Sequence, residues 1–409
     1  MEGLYDKKNL YVNYNHNKKL KFLIVDFGAS LNHTHHKLSI SSFAHLLKEE
    51  DHEIWIPIGS EASLSGLNPK RILLPGTHPI GFSFSNPSSW ISGLHGRLHN
   101  FAIKKNSKFL STTLLNITAI HFYLLIKRKA VRQNIAIIFP TFCPFAMQAI
   151  KFLNFMKIEI KIFARLTNTA ERRGVARTHN FLEISLKYVQ NTTSLKTKFG
   201  VETQAFRDYS TNLYKDKFYL SPIPSINIPK KEFIKDQKLV VSFLGYPTVD
   251  HGQEHILPII QSVGKVRKDI KWQVQIAKDS LLKNQLNNLN LDIEILEGKI
   301  SQPQFDQALR LSSVICLPYN VQAFKFNSSA MMYNSSDYLV PILTFSGSAF
   351  ASDVIEFSCG MALKNRSDMI LTLSSITLST IYKWVDGCKA YNQFRNQTNL
   401  DFLEIKKFK

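Results

Sequence analysis

The sequence predicts an α/β protein built from two parallel-sheet domains, and three observations carry that expectation. Short apolar runs such as KFLIVD (21–26) and LVVSFL (239–244) alternate with stretches whose apolar residues recur at helical spacing. The alternation begins twice, on either side of SPIPSINIP (221–229), where three prolines fall within nine residues. The chain has 409 residues, and at about 100–200 residues per domain that length suits two.

The elements follow in order. KFLIVD is an apolar run of the kind found in buried parallel strands, followed by a loop containing Gly28 and by LSISSFAHLLK (38–48) with helical spacing. EIWIPI (53–58) is strand-like again, which completes a βαβ unit. IAIIF (135–139) and IEIKIF (158–163) repeat the strand signal on either side of a helical stretch at 145–156, and 181–188 reads as a further helix. Beyond the prolines, strands are expected at 239–244, 272–277, 291–296, 314–317 and 342–345, with helices at 255–266, 305–311 and 330–339. The tail reads as helical from 369 onward. The expected organisation is an N-terminal domain over 1–220, a linker at 221–229, a C-terminal domain over 230–365 and a helical tail over 366–409.

Charge separates the halves. The net charge is +20, and residues 1–230 hold 31 basic and 14 acidic side chains against 20 and 17 in the remainder. Biased composition alone would load both halves alike, so the first half is expected to meet an anionic partner. A nucleic-acid partner is not expected, because no recognised nucleic-acid motif accompanies the charge. Hydrophobic content of 44% and charged content of 20% exclude wholesale disorder, collagen and coiled coil. Four scattered cysteines, Cys143, Cys316, Cys359 and Cys388, suit a reducing compartment rather than a disulfide framework. The first twenty residues lack an apolar core, so no signal peptide is expected. FLSTTLLNITAIHFYLLI (109–126) is the strongest membrane candidate, but Asn116, His121 and its hydroxyl residues make a span costly. Its first reading is a buried helix, and its second an interfacial helix on an anionic leaflet, given the basic residues at both ends.

Candidate ligand contacts lie where strands pass into helices, because strand C-termini and helix N-termini converge on bound anions in such sheets. There is no GxGxxG and no GxxxxGK[ST], so neither a dinucleotide fingerprint nor a P-loop is supported. In the loop GASLNHTHH (28–36), Gly28 allows close backbone approach, Ser30, Asn32 and Thr34 offer hydroxyl and amide groups, and His33, His35 and His36 could bind metal; the loop reads as acceptor or phosphate contacts, as a metal site or as plain loop polarity. Arg165 and Arg173 lie in an arginine-rich stretch suited to bidentate anion recognition, although a solvated charge run reads equally well. Asp292 and Glu294 alternate with apolar residues and read as the solvent face of a strand. FLGYPTVDHGQEHILP (243–258) and CLPYNVQAFKFNSSAMMYNSSDYLVPIL (316–343) are each strand, loop and helix, with Asn327, Ser328 and Ser329 at a helix start where they cap the helix or also contact a phosphate.

At those residues the sequence resembles the GT-B glycosyltransferases of the family-4 type (glycosyl transferases group 1). Residues 243–252 are similar to the family's LG…EKG opening of the donor domain, 297–319 to its G…l…aDv.llPY stretch, and 328–343 to its S…EALA.GKPVV helix and strand. The resemblance implies two Rossmann-like domains facing each other across a cleft. It implies transfer of a sugar, with retention, from a nucleotide-sugar donor to a saccharide or lipid-linked acceptor of cell-surface polysaccharide or glycolipid assembly. No metal and no cofactor beyond the donor is implied, and the setting is cytoplasmic, peripheral on the inner face of the membrane. Gly28 and Gly245 would allow close backbone approach. His251 and Lys325 would lie near the diphosphate, with Thr248 and His251 at the family's Arg and Lys positions. Asn327, Ser328, Ser329 and Asn334 would serve phosphate and ribose. The family's ribose-binding Glu falls at Asn334, or at Asp337 if the alignment carries a gap, and its earlier Glu falls at Phe326. His251 and Asn334 are thus the catalytic candidates, while His36, Arg165 and Arg173 would face the acceptor or an anionic membrane surface. The alternative is a catalytically degenerate GT-B protein that serves as a binding or partner subunit.

Overall fold

Runs of β-branched and aliphatic residues with no polar alternation can be accommodated only where both faces of a strand are covered, and that is how the chain uses them. The computed structural model describes residues 20–26, 35–57, 64, 66–72, 108–130, 133–141, 144–156, 160–166, 196–215, 217–226, 238–245 and 248–405. Two compact units divide the chain, residues 1–164 with 185–198 and residues 165–184 with 199–409.

The first sheet contains β1 (Lys21–Val25), β2 (His52–Pro57), β3 (Lys70–Ile72), β4 (Ile135–Phe139), β5 (Lys161–Leu166), β6 (Lys196–Val201) and β7 (Phe218–Leu220). Their order is β3-β2-β1-β4-β5-β6-β7. Helix α1 (His35–Leu46) joins β1 to β2, α2 (Lys108–Ala130) precedes β4, α3 (Pro144–Phe155) follows it, and α4 (Gln204–Tyr214) lies between β6 and β7. Thr203 caps α4, its hydroxyl accepting from the Phe206 amide.

The second sheet contains β8 (Val240–Phe243), β9 (Lys271–Ile276), β10 (Ile293–Glu297), β11 (Val314–Leu317), β12 (Ile342–Phe345) and β13 (Gly360–Leu363), in the order β10-β9-β8-β11-β12-β13. All its pairs are parallel. Its helices are α5 (Gln253–Val266), α6 (Leu282–Asn287), α7 (Gln302–Leu311), α8 (Ala330–Asp337), α9 (Ala349–Glu356), α10 (Arg366–Ser375) and α11 (Leu378–Phe402). Trp272, Val274 and Ile276 from β9 pack with Val241 and Phe243 from β8 and with Ile256, Ile259, Ile260 and Val263 from α5, all buried. Two parallel-sheet α/β domains are therefore present, as the sequence predicts. Each sheet reverses its winding beside its first strand, between β1 and β4 and between β8 and β11. Ligands of doubly wound sheets bind outside the strand C-termini at such reversals.

The prolines at 221–229 predict a linker by composition, and the described part, 221–226, is almost wholly buried. Asn399 of α11 donates to the Pro222 carbonyl at 2.7 Å and accepts from the Ser221 hydroxyl at 2.7 Å. Arg395, fully buried, donates to the carbonyls of Ile223 and Pro224 at 2.7 and 3.0 Å. Proline carbonyls without a ladder partner need donors when buried, and α11 supplies them. The tail is helical as expected, but it breaks at Ile376–Thr377, where Thr377 caps α11 by accepting from the Thr380 amide at 3.2 Å. The helix expected at 181–188 lies outside the described residues.

Candidate functional site

The reversal between β8 and β11 gathers most of the donor-side candidates. Beyond β8, Gly245 holds φ at +102°, a conformation that a side chain disfavours. Its amide donates to Gln275 Oε1 at 2.9 Å, and Gln275 Nε2 donates to the Gly298 carbonyl at 2.8 Å. One buried amide side chain of β9 therefore ties the loops that follow β8 and β10. A Cβ at Gly245 would stand 3.1 Å from Met331 Cγ, so this glycine lies against the first turn of α8.

A single helical turn, Val249–His251, follows, and Gly252 closes it at φ +71°. A Cβ at Gly252 would fall 1.8 Å from the Pro318 carbonyl oxygen. Only glycine permits that approach, and it brings the loop after β8 against the loop after β11. The Asn320 amide, donating to the Asp250 carbonyl at 3.0 Å, completes the tie. Thr248 Oγ1 and His251 Nδ1 are 2.7 Å apart. The His251 ring meets Tyr319 edge-on at 4.7 Å and Phe324 at 5.6 Å, and both of those pack on Phe350. Aromatic packing on one side and a hydroxyl on the ring nitrogen fix the orientation of this histidine.

Ser329 caps α8, its hydroxyl accepting from the Met331 amide at 3.1 Å. The remaining amides of the first turn give this helix end its partial positive charge. Asn327 and Ser328, just before it, are buried. Asn327 is only 3% exposed, and its Oδ1 has no hydrogen-bond partner among the described residues. A buried amide oxygen left unpaired costs about 1–3 kcal/mol unless it finds a donor. Lys325 is exposed, its ammonium 5.1 Å from the centroid of the Phe326 ring. Asn334 lies one turn along α8 and is half-buried.

Asp337, the alternative acidic candidate, stands at the other end of α8, about 12 Å from the helix start at 1.5 Å per residue. Its carboxylate accepts from Arg395 Nη1 at 3.0 Å and from the Ser225 hydroxyl at 2.6 Å. Burial raises its proton affinity, and the Arg395 charge opposes that rise. Its oxygens are occupied in holding 221–226 to α11.

Two of the acceptor-side candidates, His36 and Arg165, are likewise enclosed. His36 lies in the first turn of α1, and its Nδ1 is 3.0 and 3.1 Å from the two oxygens of Asp26 beyond β1. Arg165 is fully buried at the end of β5, donating to the Ser221 carbonyl at 2.8 Å and pairing with Glu202. Gly28 and Arg173 lie outside the described residues. Asp292 and Glu294 meet Lys238 and Lys271 at 3.1 and 2.8 Å near the sheet edge. Gln275 is the partner of these loops that the sequence hides. In the run WQVQIA a glutamine at alternate positions looks like a solvent face, yet both Gln273 and Gln275 are buried.

No family model matches this chain, and no curated protein matches it. Solved structures do. The Anabaena protein Alr3699/HepE in complex with UDP and glucose aligns with TM-score 0.56 and 10% identity over 95% of this chain and 99% of that one. A putative UDP-N-acetylglucosamine 2-epimerase from Listeria monocytogenes aligns with TM-score 0.57 and 10% identity over 95% and 98%. WaaG, a glycosyltransferase involved in lipopolysaccharide biosynthesis, aligns with TM-score 0.50 and 12% identity over 95% and 100%. At such identities the likeness is one of fold, and the fold is GT-B.

Proposed function

We propose that this protein is a glycosyltransferase that binds a nucleoside-diphosphate sugar at the β8–β11 reversal of its second sheet. The observation that carries the reading is the unpartnered Asn327 oxygen, buried beside the N-terminus of α8. As an acceptor it suits a sugar or ribose hydroxyl; with its amide rotated it presents N–H groups to a phosphate. Both belong to one ligand class.

The roles follow from position. The first-turn amides of α8 oppose negative charge as the diphosphate departs, and Gly245 lets the loop after β8 lie against that first turn. Thr248 and His251 offer a fixed hydroxyl and imidazole from the first loop, Lys325 an exposed positive charge, and Ser328 and Ser329 before α8 and Asn334 on it polar groups. In the transfer the bond from the anomeric carbon to the diphosphate oxygen breaks and a bond to the acceptor hydroxyl oxygen forms. The acceptor proton leaves to the diphosphate or to water. Retention, a cell-surface polysaccharide or glycolipid acceptor, and a cytoplasmic setting belong to the same proposal; the family resemblance supports them, and WaaG, a glycosyltransferase involved in lipopolysaccharide biosynthesis, fits the acceptor class.

A second reading, a GT-B protein that binds without catalysing, draws on three positions. Thr248, His251 and Asn334 stand where the resemblance would place Arg, Lys and Glu, and loss of one positioned charge donor can cost about 3–4 kcal/mol of transition-state stabilisation. A thermal-shift screen with UDP, GDP, ADP, CMP and TDP and their sugar conjugates tests the donor reading. Ligand at about 100 times its dissociation constant adds about 2.7 kcal/mol of stability. A selective shift that weakens in Asn327→Ala and His251→Ala is the expected result, and no shift with any nucleotide defeats it. Release of free nucleotide only when an acceptor is present separates transfer from epimerisation and from binding alone.

A further inference from the structure

Among the described residues, helix α2 carries apolar side chains on two faces, one buried and one exposed. Ala119, Phe122, Tyr123, Ile126 and Ala130 are buried. Phe122 packs on Trp55 and Phe139 at 6.3 and 6.2 Å, and Lys129 bonds Glu53 at 2.7 Å, which fixes this face against β2 and β4. Opposite, Ile117, Ile120 and Leu124 are 56, 43 and 56% exposed. Their spacing of three and four residues makes one stripe, which runs on into exposed Lys127 and Arg128. Beside it, Tyr123 meets Phe152 of α3 at 5.3 Å, and Phe152 meets Phe155, which is 75% exposed.

Folded monomers seldom gather this much aliphatic and aromatic surface without a partner for it. Charge identifies the partner. From Ala62 to Ile158, 97 residues that include α2 and α3, there is no aspartate or glutamate and there are 12 lysines and arginines. A second copy of this chain would bring the same positive field against itself. A nucleic acid would want cations at the centre of the patch, where this surface places isoleucine and leucine. An apolar centre with a basic border and no acid suits the boundary between anionic headgroups and acyl chains. No helix among the described residues is long and apolar enough to cross a membrane. We propose that the exposed faces of α2 and α3 dock this protein on an anionic bilayer surface, with Ile117, Ile120, Leu124 and Phe155 inserted and Lys127 and Arg128 at the headgroups.

Flotation with vesicles tests this on the full chain. Phosphatidylcholine vesicles with about one-third phosphatidylglycerol should bind the protein at least about tenfold more tightly than phosphatidylcholine alone, since each basic residue near an anionic surface contributes a several-fold factor. The triple variant Ile117→Ser, Ile120→Ser, Leu124→Ser should lose at least about tenfold of that binding at an unchanged melting temperature. The pair Lys127→Gln, Arg128→Gln should lose the preference for anionic lipid. Equal binding to neutral vesicles, binding that survives the triple variant, no vesicle binding, or a dimer that dissociates in the triple variant would each overturn the proposal. Donor-induced thermal shifts should be the same in the variants and the parent, so this proposal and the donor reading fail separately.

Discussion

Helices α2 and α11 have 23 and 25 residues, yet they depart from the ordinary helix in opposite directions. Helix α2 turns isoleucines and leucine outward, while α11 carries Arg395 and Asn399 fully buried. The buried groups of α11 are satisfied. Arg395 reaches the carbonyls of Ile223, Pro224 and Tyr333 and the side chains of Asp337 and Asn392, and Asn399 reaches Ser221, Pro222 and the Arg395 carbonyl. The exposed groups of α2 have nothing over them among the described residues. Inverted polarity inside the fold serves cohesion, and the same inversion outside it serves an encounter.

The comparison breaks most severely at Arg395. Arg395→Met removes five hydrogen-bond donations and leaves the Asp337 carboxylate buried with the Ser225 hydroxyl and the Ile226 amide but no charge partner, and breaking a buried pair from one side costs about 3–5 kcal/mol. Chemical denaturation should show a fall of that order. The double variant Arg395→Met, Asp337→Leu should recover part of it, because the stranded charge is gone. Gly252→Ala comes next. Its Cβ would stand 1.8 Å from the Pro318 carbonyl oxygen, at φ +71°. The left-handed backbone alone costs about 1–3 kcal/mol for a residue that resists it, and the clash adds to that. Donor-induced stabilisation should fall as well, since the two loops of the site part there.

Regions where local sequence decided the structure were readable beforehand. The β-branched runs of β1, β4, β8 and β11 stand where expected, because a strand covered on both faces leaves a continuous apolar signature. The edge strand β13, GMAL, has no β-branched residue, and β7 has only three residues, so neither carried a signal. The capped start of α8 was readable in NSS at 327–329, whereas the contact of Thr248 with His251 in the loop after β8 was not. What else stayed hidden depends on distant partners. Arg165 looks like an anion contact until Glu202, 37 residues on, closes over it. Gln275 looks like a solvent-facing residue until Gly245 and Gly298 claim its amide. The linker prolines look free until α11, some 170 residues later, supplies their donors.

Titration sharpens the contrast between covered faces. Glu53 fastens the inner side of α2. Burial resists its ionisation, but hydrogen bonds from Lys129, Trp55, Lys70 and Lys21 prevail and hold its pKa at about 2. Being depressed on folding, it contributes stability above its ordinary value near 4.5, and that contribution is lost as pH falls through about 2. Glu53→Gln should therefore flatten the acid limb of a stability profile between those values. Asp353, against α11, moves the other way. Burial raises it to about 7, although the Tyr391 hydroxyl donates to it at 3.1 Å. Its folded form prefers the proton, so its contribution is complete below its ordinary value near 3.8 and is lost as pH rises through about 7. Asp353→Asn should gain relative stability above pH 7 and none at pH 4.

The smallest effect on stability should come from the outer face of α2, and its smallness is informative. Ile117→Ser, Ile120→Ser and Leu124→Ser remove side chains that are about half exposed and leave untouched the inner residues that hold the helix. Surface changes away from caps and buried networks fall within about 0.5 kcal/mol each, and serine lowers helix propensity only slightly. Denaturation should therefore barely distinguish this triple variant from its parent, while a single substitution in α11 costs several kcal/mol. A large loss in the triple variant would mean that the stripe packs against the protein itself, and the contrast between the two helices would collapse. A negligible loss would leave three large aliphatic residues on a surface where they add nothing to folding, which is the condition under which a binding role is the remaining physical reason for them.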